Sequence, residues 1–434
     1  PMVYSLYLPP ALTGGSMSDE QTFPYENRGP ATAIGHALPA AAAPLPPSGI
    51  DSGQVNGDQV TFPDWKGAAD TPEPSPPVAL PPDERVGFAV VGLGRLTLNQ
   101  ILPALHRAKN ARPVALVSGH REKAETVAAQ YGISPDAIYS YDEMHKMADN
   151  PAIQAVYIVT PNGLHRDHVL AAAAAGKHVL CEKPMANTSA EAQQMIDACR
   201  DAGVKLMIAY RCQFDAFNKE AARLVQSGEL GRPRIIEATN VQMMGPDGQW
   251  RFKGGLAGGG ALPDIGLYCL NGVRMMLAEN PIEVYAQAVN PTGDPRYTEV
   301  EETISFILRF RSGVIAHCVT SYGAHEGKEM TVRLENGWVK LDNAYAYSGQ
   351  RLTVAQRKGE AQSLEERKLS AGPQFVLEIE HFADCVRNGS APRTPGEEGL
   401  QDQVFIEAIY RSAQEGRPVT LERNDLHVTA SQKP

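Results

Sequence analysis

The sequence predicts an α/β protein in which a parallel sheet, covered by helices on both faces, precedes a second region of strands. Three observations carry that expectation. Apolar runs alternate with helical patterns from residue 86 to residue 209, a glycine turn follows the first run, and proline density falls just before it. The chain has 434 residues, enough for two or three domains with full cores. It has no apolar run of the roughly 18 residues that a membrane span needs, so no membrane partner is expected. A net charge of -10 argues against a nucleic-acid partner. The six cysteines are scattered without a C-x-x-C pair, which fits neither a disulfide framework nor a metal site.

Residues 1–82 hold 16 of the 33 prolines and show no sustained periodicity. They read as an extended arm rather than a domain, with a plain tail or linker as the alternative. Phe23, Tyr25, Phe62 and Trp65 are the residues that could anchor such an arm to a protein surface. The first 20 residues carry no Lys or Arg and are broken by Pro9, Pro10, Gly14 and Gly15. A secretory leader is therefore not expected, and the chain is expected to be cytoplasmic, with a periplasmic location as the alternative.

Residues 86–91 form the first buried strand, and Gly92-Leu93-Gly94-Arg95-Leu96-Thr97 leads into a helix containing Ile101, Leu102 and Leu105. A strand, a glycine turn and a helix make the phosphate-binding turn of a Rossmann domain. Gly92 permits the turn and Gly94 lets backbone approach a pyrophosphate, while Thr97 stands where the fingerprint has a third Gly or Ala. Strands are then expected at 113–117, 155–159, 178–181 and 204–209, and helices at 122–131, 163–175 and 190–202. At the end of the second strand, Ser118 and Gly119 replace the usual acid, and Arg121 and Lys123 follow. A hydroxyl with two cations suits a 2′-phosphate, so NADP is expected over NAD.

Glu182-Lys183-Pro184 follows a strand directly, at the edge where such a sheet places its chemistry. A lysine there can donate a hydrogen bond or lower a neighbouring hydroxyl's pKa. Further on, Asp264, Tyr268 and Asn271 recur at helical spacing after Gly258-Gly259-Gly260 and can share one face. Singly, Asp264 could be a helix cap and Tyr268 a core aromatic. His165 and His168 also share a helix face, but no carboxylate or cysteine completes a metal site.

Taken together, the glycine fingerprint, Thr160-Pro161-Asn162 with His165, Glu182-Lys183-Pro184 and the stretch Asp264-Ile265-Gly266 resemble the glucose–fructose oxidoreductase / inositol dehydrogenase superfamily. The variant with Tyr268 and Asn271, where His and Asp are common, is similar to its glucose–fructose and aldose–aldose oxidoreductase branch. So are Leu98 to Pro103, Tyr210-Arg211-Cys212, and Thr394-Pro395-Gly396-Glu397-Glu398-Gly399. The resemblance implies an arm at 1–82, an NADP-binding domain at 83–208, and a substrate-binding and oligomerisation domain at 209–434. That last domain would be α+β with an open, mostly antiparallel sheet, and strands are expected at 234–242, 301–310, 314–321 and 328–334. The sheet would serve a homodimer or homotetramer. The family pattern also implies tightly bound NADP, with one aldose oxidised to its lactone and a second sugar reduced to an alditol.

Carried over by resemblance, Lys183 and Tyr268 are the proton-transfer pair, Asp264 binds sugar and orients the lysine, and Tyr210 and Arg211 line the sugar site. The cofactor residues would be Gly92, Gly94, Arg95, Leu96, Ser118, Gly119, Arg121, Lys123, Thr160, Pro161, Asn162, His165, Glu182, Lys183 and Arg211. Two other readings stand beside this one: a conventional NADP-dependent sugar dehydrogenase that releases its cofactor, and a sensor that binds nucleotide without catalysis.

Overall fold

The computed structural model describes residues 79–421 apart from 246, 247 and 371, together with the backbone of two short strands. Those strands, β1 (Gln54–Asn56) and β2 (Gln59–Thr61), pair antiparallel with Asn56 opposite Gln59. An arm without regular structure is the sequence expectation, so this hairpin is a departure from it. Its signal is the Gly57-Asp58 pair between two Gln-Val dipeptides, a connection that two-residue hairpins favour. The four aromatic anchors expected on the arm, Phe23, Tyr25, Phe62 and Trp65, lie outside the described residues.

A six-stranded parallel sheet forms the first body. Its strands are β3 (Val86–Val91), β4 (Ala111–Val117), β5 (Ile138–Tyr139), β6 (Ala155–Ile158), β7 (His178–Glu182) and β8 (Leu206–Ala209). They lie in the order β5-β4-β3-β6-β7-β8. The order reverses between β3 and β6, which opens a crevice at the strands' carboxyl ends. Every residue of β3 is buried, because helices cover both faces. Those helices are α1 (Leu102–Arg107), α2 (Arg121–Tyr131), α3 (His165–Ala174) and α4 (Ser189–Asp201). The two-residue β5 carries too little pattern to be read from sequence. The helix expected from 163 starts later because Asn162–Leu164 is wound as a tighter 3₁₀ turn.

A nine-stranded sheet follows, built from β9 (Pro233–Val241), β10 (Pro281–Val289), β11 (Thr303–Phe310), β12 (Ile315–Ser321), β13 (Gly327–Leu334), β14 (Gly337–Asp342), β15 (Arg351–Lys358), β16 (Ala361–Arg367) and β17 (Val419–Thr420). Its order is β16-β15-β14-β13-β9-β12-β11-β10-β17, and only the β9–β12 pair is parallel. The strands alternate buried and exposed, as in β12, where Ala316 and Cys318 point inward and Ile315, His317 and Val319 outward. The inward face packs on helices α5 (Ala216–Gln226), α7 (Leu267–Leu277) and α9 (Gly396–Glu415). A short α6 (Gly254–Ala257) and the long α8 (Gln374–Asn388) complete the set.

The two sheets are stitched together by the late helices. Glu380 and Asp384 of α8 accept from Asn110 and the Lys109 backbone, and Phe382 packs on Phe88 at 6.3 Å. The Thr394-Pro395-Gly396 stretch docks on the open edge of β8: Ile208 N donates to Thr394 O, and the Thr394 hydroxyl donates back to Ile208 O at 2.6 Å. Beneath this, Arg274 of α7 is wholly enclosed and donates to Glu398 (3.0 Å) and to Asp402 of α9. Removing one member of such a buried group strands the other charges without water. Arg274→Met is therefore expected to lower unfolding stability by about 3–5 kcal/mol, read from the shift in denaturant midpoint at unchanged slope.

Candidate active site

At the end of β3 the chain turns with Gly92 at φ 94°, and a side chain there would meet Val159 O at 2.8 Å. Only glycine fits that turn. The Thr97 hydroxyl donates to Gly92 O at 2.6 Å, so the residue that breaks the glycine fingerprint ties the helix back onto the turn. A Cβ on Gly94 would point into open space within a cleft of about 390 Å³. The cleft is lined by Gly92 to Leu96, Ser118, Lys123, Thr160 to Asn162, Glu182 and Lys183. Backbone N–H groups and a lysine around an open glycine floor are the donor set that a dinucleotide needs, so the residues present fit one.

Several expected cofactor residues sit elsewhere. Arg121 donates to Glu125, Ile138 O and Pro135 O, which turns its guanidinium onto the sheet edge and away from the cleft. Gly119 faces the Tyr141 ring instead. Lys123 does line the cleft and reaches back to Leu93 O. His120, not foreseen, lines it too, with its backbone N–H on the Ser118 hydroxyl at 3.1 Å. His165 is buried with its ring nitrogens 2.9 Å from Pro184 O and Thr160 O, so it pins two loops rather than facing a ligand. His168 contacts the Thr160 hydroxyl and stacks on Tyr141, which also lines the cleft.

A second cavity of about 440 Å³ adjoins the first, and Leu96, Glu182, Lys183, Arg251 and Asp264 line both. Lys183 leaves the end of β7 and donates to Asp264 O at 2.7 Å and Oδ1 at 3.3 Å. The other carboxylate oxygen accepts from Arg251 (2.9 Å) and the Tyr322 hydroxyl (2.8 Å). Burial alone would push Asp264 up. The charges of Arg251 and Lys183 and the Tyr322 hydrogen bond outweigh it and hold the carboxyl well below the usual range. Asp264 lies in a π-helical turn, Leu262–Gly266, whose start is held by Glu301. The Glu301 carboxylate accepts from Gly260 N and Leu262 N, each at 2.8 Å, and from the Tyr410 hydroxyl.

One turn on, Tyr268 points into the same cavity, with Lys183 Nζ and Arg211 Cζ each 4.8 Å from its ring centre. Burial pushes its phenol above the ordinary value, and Arg211 opposes that shift. Arg211 is buried on the cavity wall rather than in the nucleotide cleft, stacked on Tyr268 and Tyr347 and donating to Tyr345 O and Gln374. Tyr210, expected at the sugar site, is instead buried beneath the helix, near Asp402 and Glu398. Asn271 does not share the cavity face either; it bonds to Gln213, Glu398 and Asp402 in the core. Arg251 and Tyr347, on the cavity wall, and Tyr322, buried behind Asp264, come from loops and a strand end, where no periodicity marks a site.

Comparison with known proteins follows the same division. The profile described as "Oxidoreductase family, NAD-binding Rossmann fold" matches residues 86–210, and the "GFO/IDH/MocA C-terminal domain" matches residues 218–340. The chain belongs to the GFO/IDH/MocA oxidoreductase family. A relative, D-xylose 1-dehydrogenase [NADP(+)] of Haloarcula marismortui, is 33% identical over 78% of this chain and 94% of its own length. The 1,5-anhydro-D-fructose reductase of Ensifer adhaerens is 27% identical over 77% of this chain and 98% of its own. Among solved structures, aldose-aldose oxidoreductase from Caulobacter crescentus, complexed with glycerol, is 42% identical with a TM-score of 0.75, covering 78% of this chain and all of that one.

Arg251 is the largest of the influences that keep Asp264 ionised. A carboxyl with a depressed pKa contributes stability that is present above its unfolded value, about 3.9, and is lost as pH falls through the folded value. In Arg251→Met the Asp264 pKa is expected to rise. The stability deficit of the variant should be full near pH 7 and close only as pH falls from the variant's raised Asp264 value through the depressed wild-type one, checked by carboxyl-carbon NMR titration and by denaturation at neutral pH and in strong acid.

Proposed function

We propose that this protein is a sugar oxidoreductase with a tightly bound NADP, oxidising an aldose to its lactone and reducing a second sugar to an alditol. The observation that carries the reading is the Lys183–Asp264–Tyr268 group at the junction of a dinucleotide cleft and a cavity lined with polar side chains. The 42% identity with an aldose-aldose oxidoreductase over that protein's full length supports it. Bound NADP supplies the group that accepts hydride from one sugar and returns it to the next. Asp264, fixed as a carboxylate, orients the Lys183 ammonium and accepts from a sugar hydroxyl. Tyr268 exchanges the proton of the reacting hydroxyl, flanked by the two cations. The loops around Trp250 and Tyr347 border the cavities.

The D-xylose 1-dehydrogenase relative favours a second reading, a dehydrogenase that releases NADP at each turnover. The ultraviolet spectrum of the extensively dialysed protein separates the two: one nucleotide per chain supports retention, and its absence supports release. The outward sheet face, with Ile235, Ile315 and Val319 each more than a third exposed, supports assembly as a homodimer or homotetramer.

Lys183→Ala and Tyr268→Phe are each expected to keep the fold but slow sugar oxidation by about 100- to 10,000-fold; near-normal turnover in both with a good aldose would rule out the assignment. Ser118→Asp places a carboxylate beside Lys123 and His120, where a 2′-phosphate would sit. It is expected to cut the NADP-to-NAD affinity ratio by about tenfold or more, equivalent to about 1.4 kcal/mol, measured by titration of nucleotide-free protein.

A further inference from the structure

Oxidising a hydroxyl releases a proton as well as a hydride, and the site must hold that proton. Asp264 is unsuited, since three donors fix it as a carboxylate. The Tyr268 phenol, pushed up by burial, passes a proton on only as it receives another. Glu326 is mostly exposed and paired with Lys328. Among the described residues one carboxyl group on the cavity wall is left: Glu182, 8% exposed, which lines both cavities at their junction.

Glu182 is backed by an unusual arrangement. Its Oε1 accepts from the Tyr157 hydroxyl at 2.9 Å. Behind the same hydroxyl, at 3.4 Å, lies Oε2 of the fully buried Glu378, whose Oε1 has no hydrogen-bond partner among the described residues. One phenolic hydrogen thus stands between two carboxyl groups, one wholly buried and one buried but for its face on the cavity, and both cannot be ionised without a large penalty. The groups facing Glu182 are Tyr157 from β6, Lys183 at the end of β7, Arg211 from the turn after β8, Tyr268 from α7, Tyr347 from the loop after β14, and Glu378 from α8. Burial pushes Glu182 above the ordinary carboxyl value even though Lys183, Tyr157 and Arg211 pull it down. Burial, with the charge of Glu182 adding to it, pushes Glu378 well above that value. Two carboxyl groups on one cavity wall, Asp264 and Glu182, are therefore driven in opposite directions, the division that separates an ionised anchor from a proton carrier.

We propose that Glu182 takes up and returns the substrate's proton, with Tyr157 and Glu378 as positioning residues behind it. The inference rests on the sugar-oxidoreductase reading above. In the oxidative half-reaction the sugar O–H bond breaks, and its proton passes through the Tyr268 phenol onto the Glu182 carboxylate. The C–H bond breaks with its electron pair, which leaves as hydride to NADP, so the sugar loses two electrons and the dinucleotide gains them. The reductive half-reaction returns both. Glu378 keeps its own proton throughout.

Infrared difference spectroscopy tests this on the intact protein. At pH 7 and without sugar, a protonated-carboxyl band is expected that Glu378→Gln removes. Adding an aldose should raise a second such band in step with nucleotide reduction, and Glu182→Gln should lack it. Single-turnover sugar oxidation should fall on the acid side as Glu182 gains a proton. Tyr157→Phe removes a donor that favours the ionised form, so this acid limb should move to higher pH. Glu182→Gln should slow the step by about 100- to 10,000-fold and abolish the limb. Sugar-driven reduction with no second band, together with an unmoved limb in Tyr157→Phe, overturns the proposal, because a merely structural role would lower the rate without shifting the limb. A protein in which no sugar reduces the nucleotide overturns the underlying reading, and this inference with it.

Discussion

The contact between Lys183 and Asp264 is the constraint around which the molecule is arranged. The lysine stands at the end of a parallel strand and the aspartate in the first turn of a helix from the second body, 81 residues later. Neither could hold its place alone. Lys183 is fixed by strand pairing of β7 with β6 and β8, and Asp264 by a π-helical turn whose leading N–H groups are held by the buried Glu301 carboxylate. Glu301 in turn accepts from Tyr410 of α9, so the geometry of the pair depends on a helix near the end of the chain.

Charge around that contact is distributed unevenly, and the unevenness decides what each group can do. Lys183 and Arg251 are both engaged by one carboxylate, Asp264. Arg211 is held by carbonyl and amide oxygens and by aromatic faces, so its charge acts on the Tyr268 ring beside it. The sequence reading gave Lys183 the task of easing proton loss from Tyr268. The geometry shares that task with Arg211, which the sequence assigns to the cofactor and to the sugar site and which stands on the sugar-side cavity wall.

Much of this is legible in the sequence. The run Val86 to Val91 was read with its exact ends, because an all-apolar strand closed by glycine has no competing interpretation. Lys183, Asp264 and Tyr268 were found from short motifs and meet at one place. What failed was inference from spacing alone. Asn271 follows Tyr268 by three residues, yet the helix buries it against α9 while Tyr268 faces the cavity. Arg121 looked like a phosphate ligand because it lies near Ser118, but the carbonyls at the end of its own sheet satisfy it first. Arg251 and Tyr322 were invisible for a different reason: both sit where no repeating pattern exists, and their partner is defined only once distant segments meet.

The docking of Thr394 on β8 has a consequence for how the chain is made. The parallel sheet's last strand presents an unpaired backbone edge until a segment 186 residues downstream arrives to cover it. During synthesis the first body therefore emerges with one adhesive margin uncovered, and it stays so while all but the last strand of the second sheet is being translated. A ribosome stalled between residues 210 and 390 would display a nearly complete nucleotide-binding fold with an open border, the kind of partial product that invites strand addition from a neighbour.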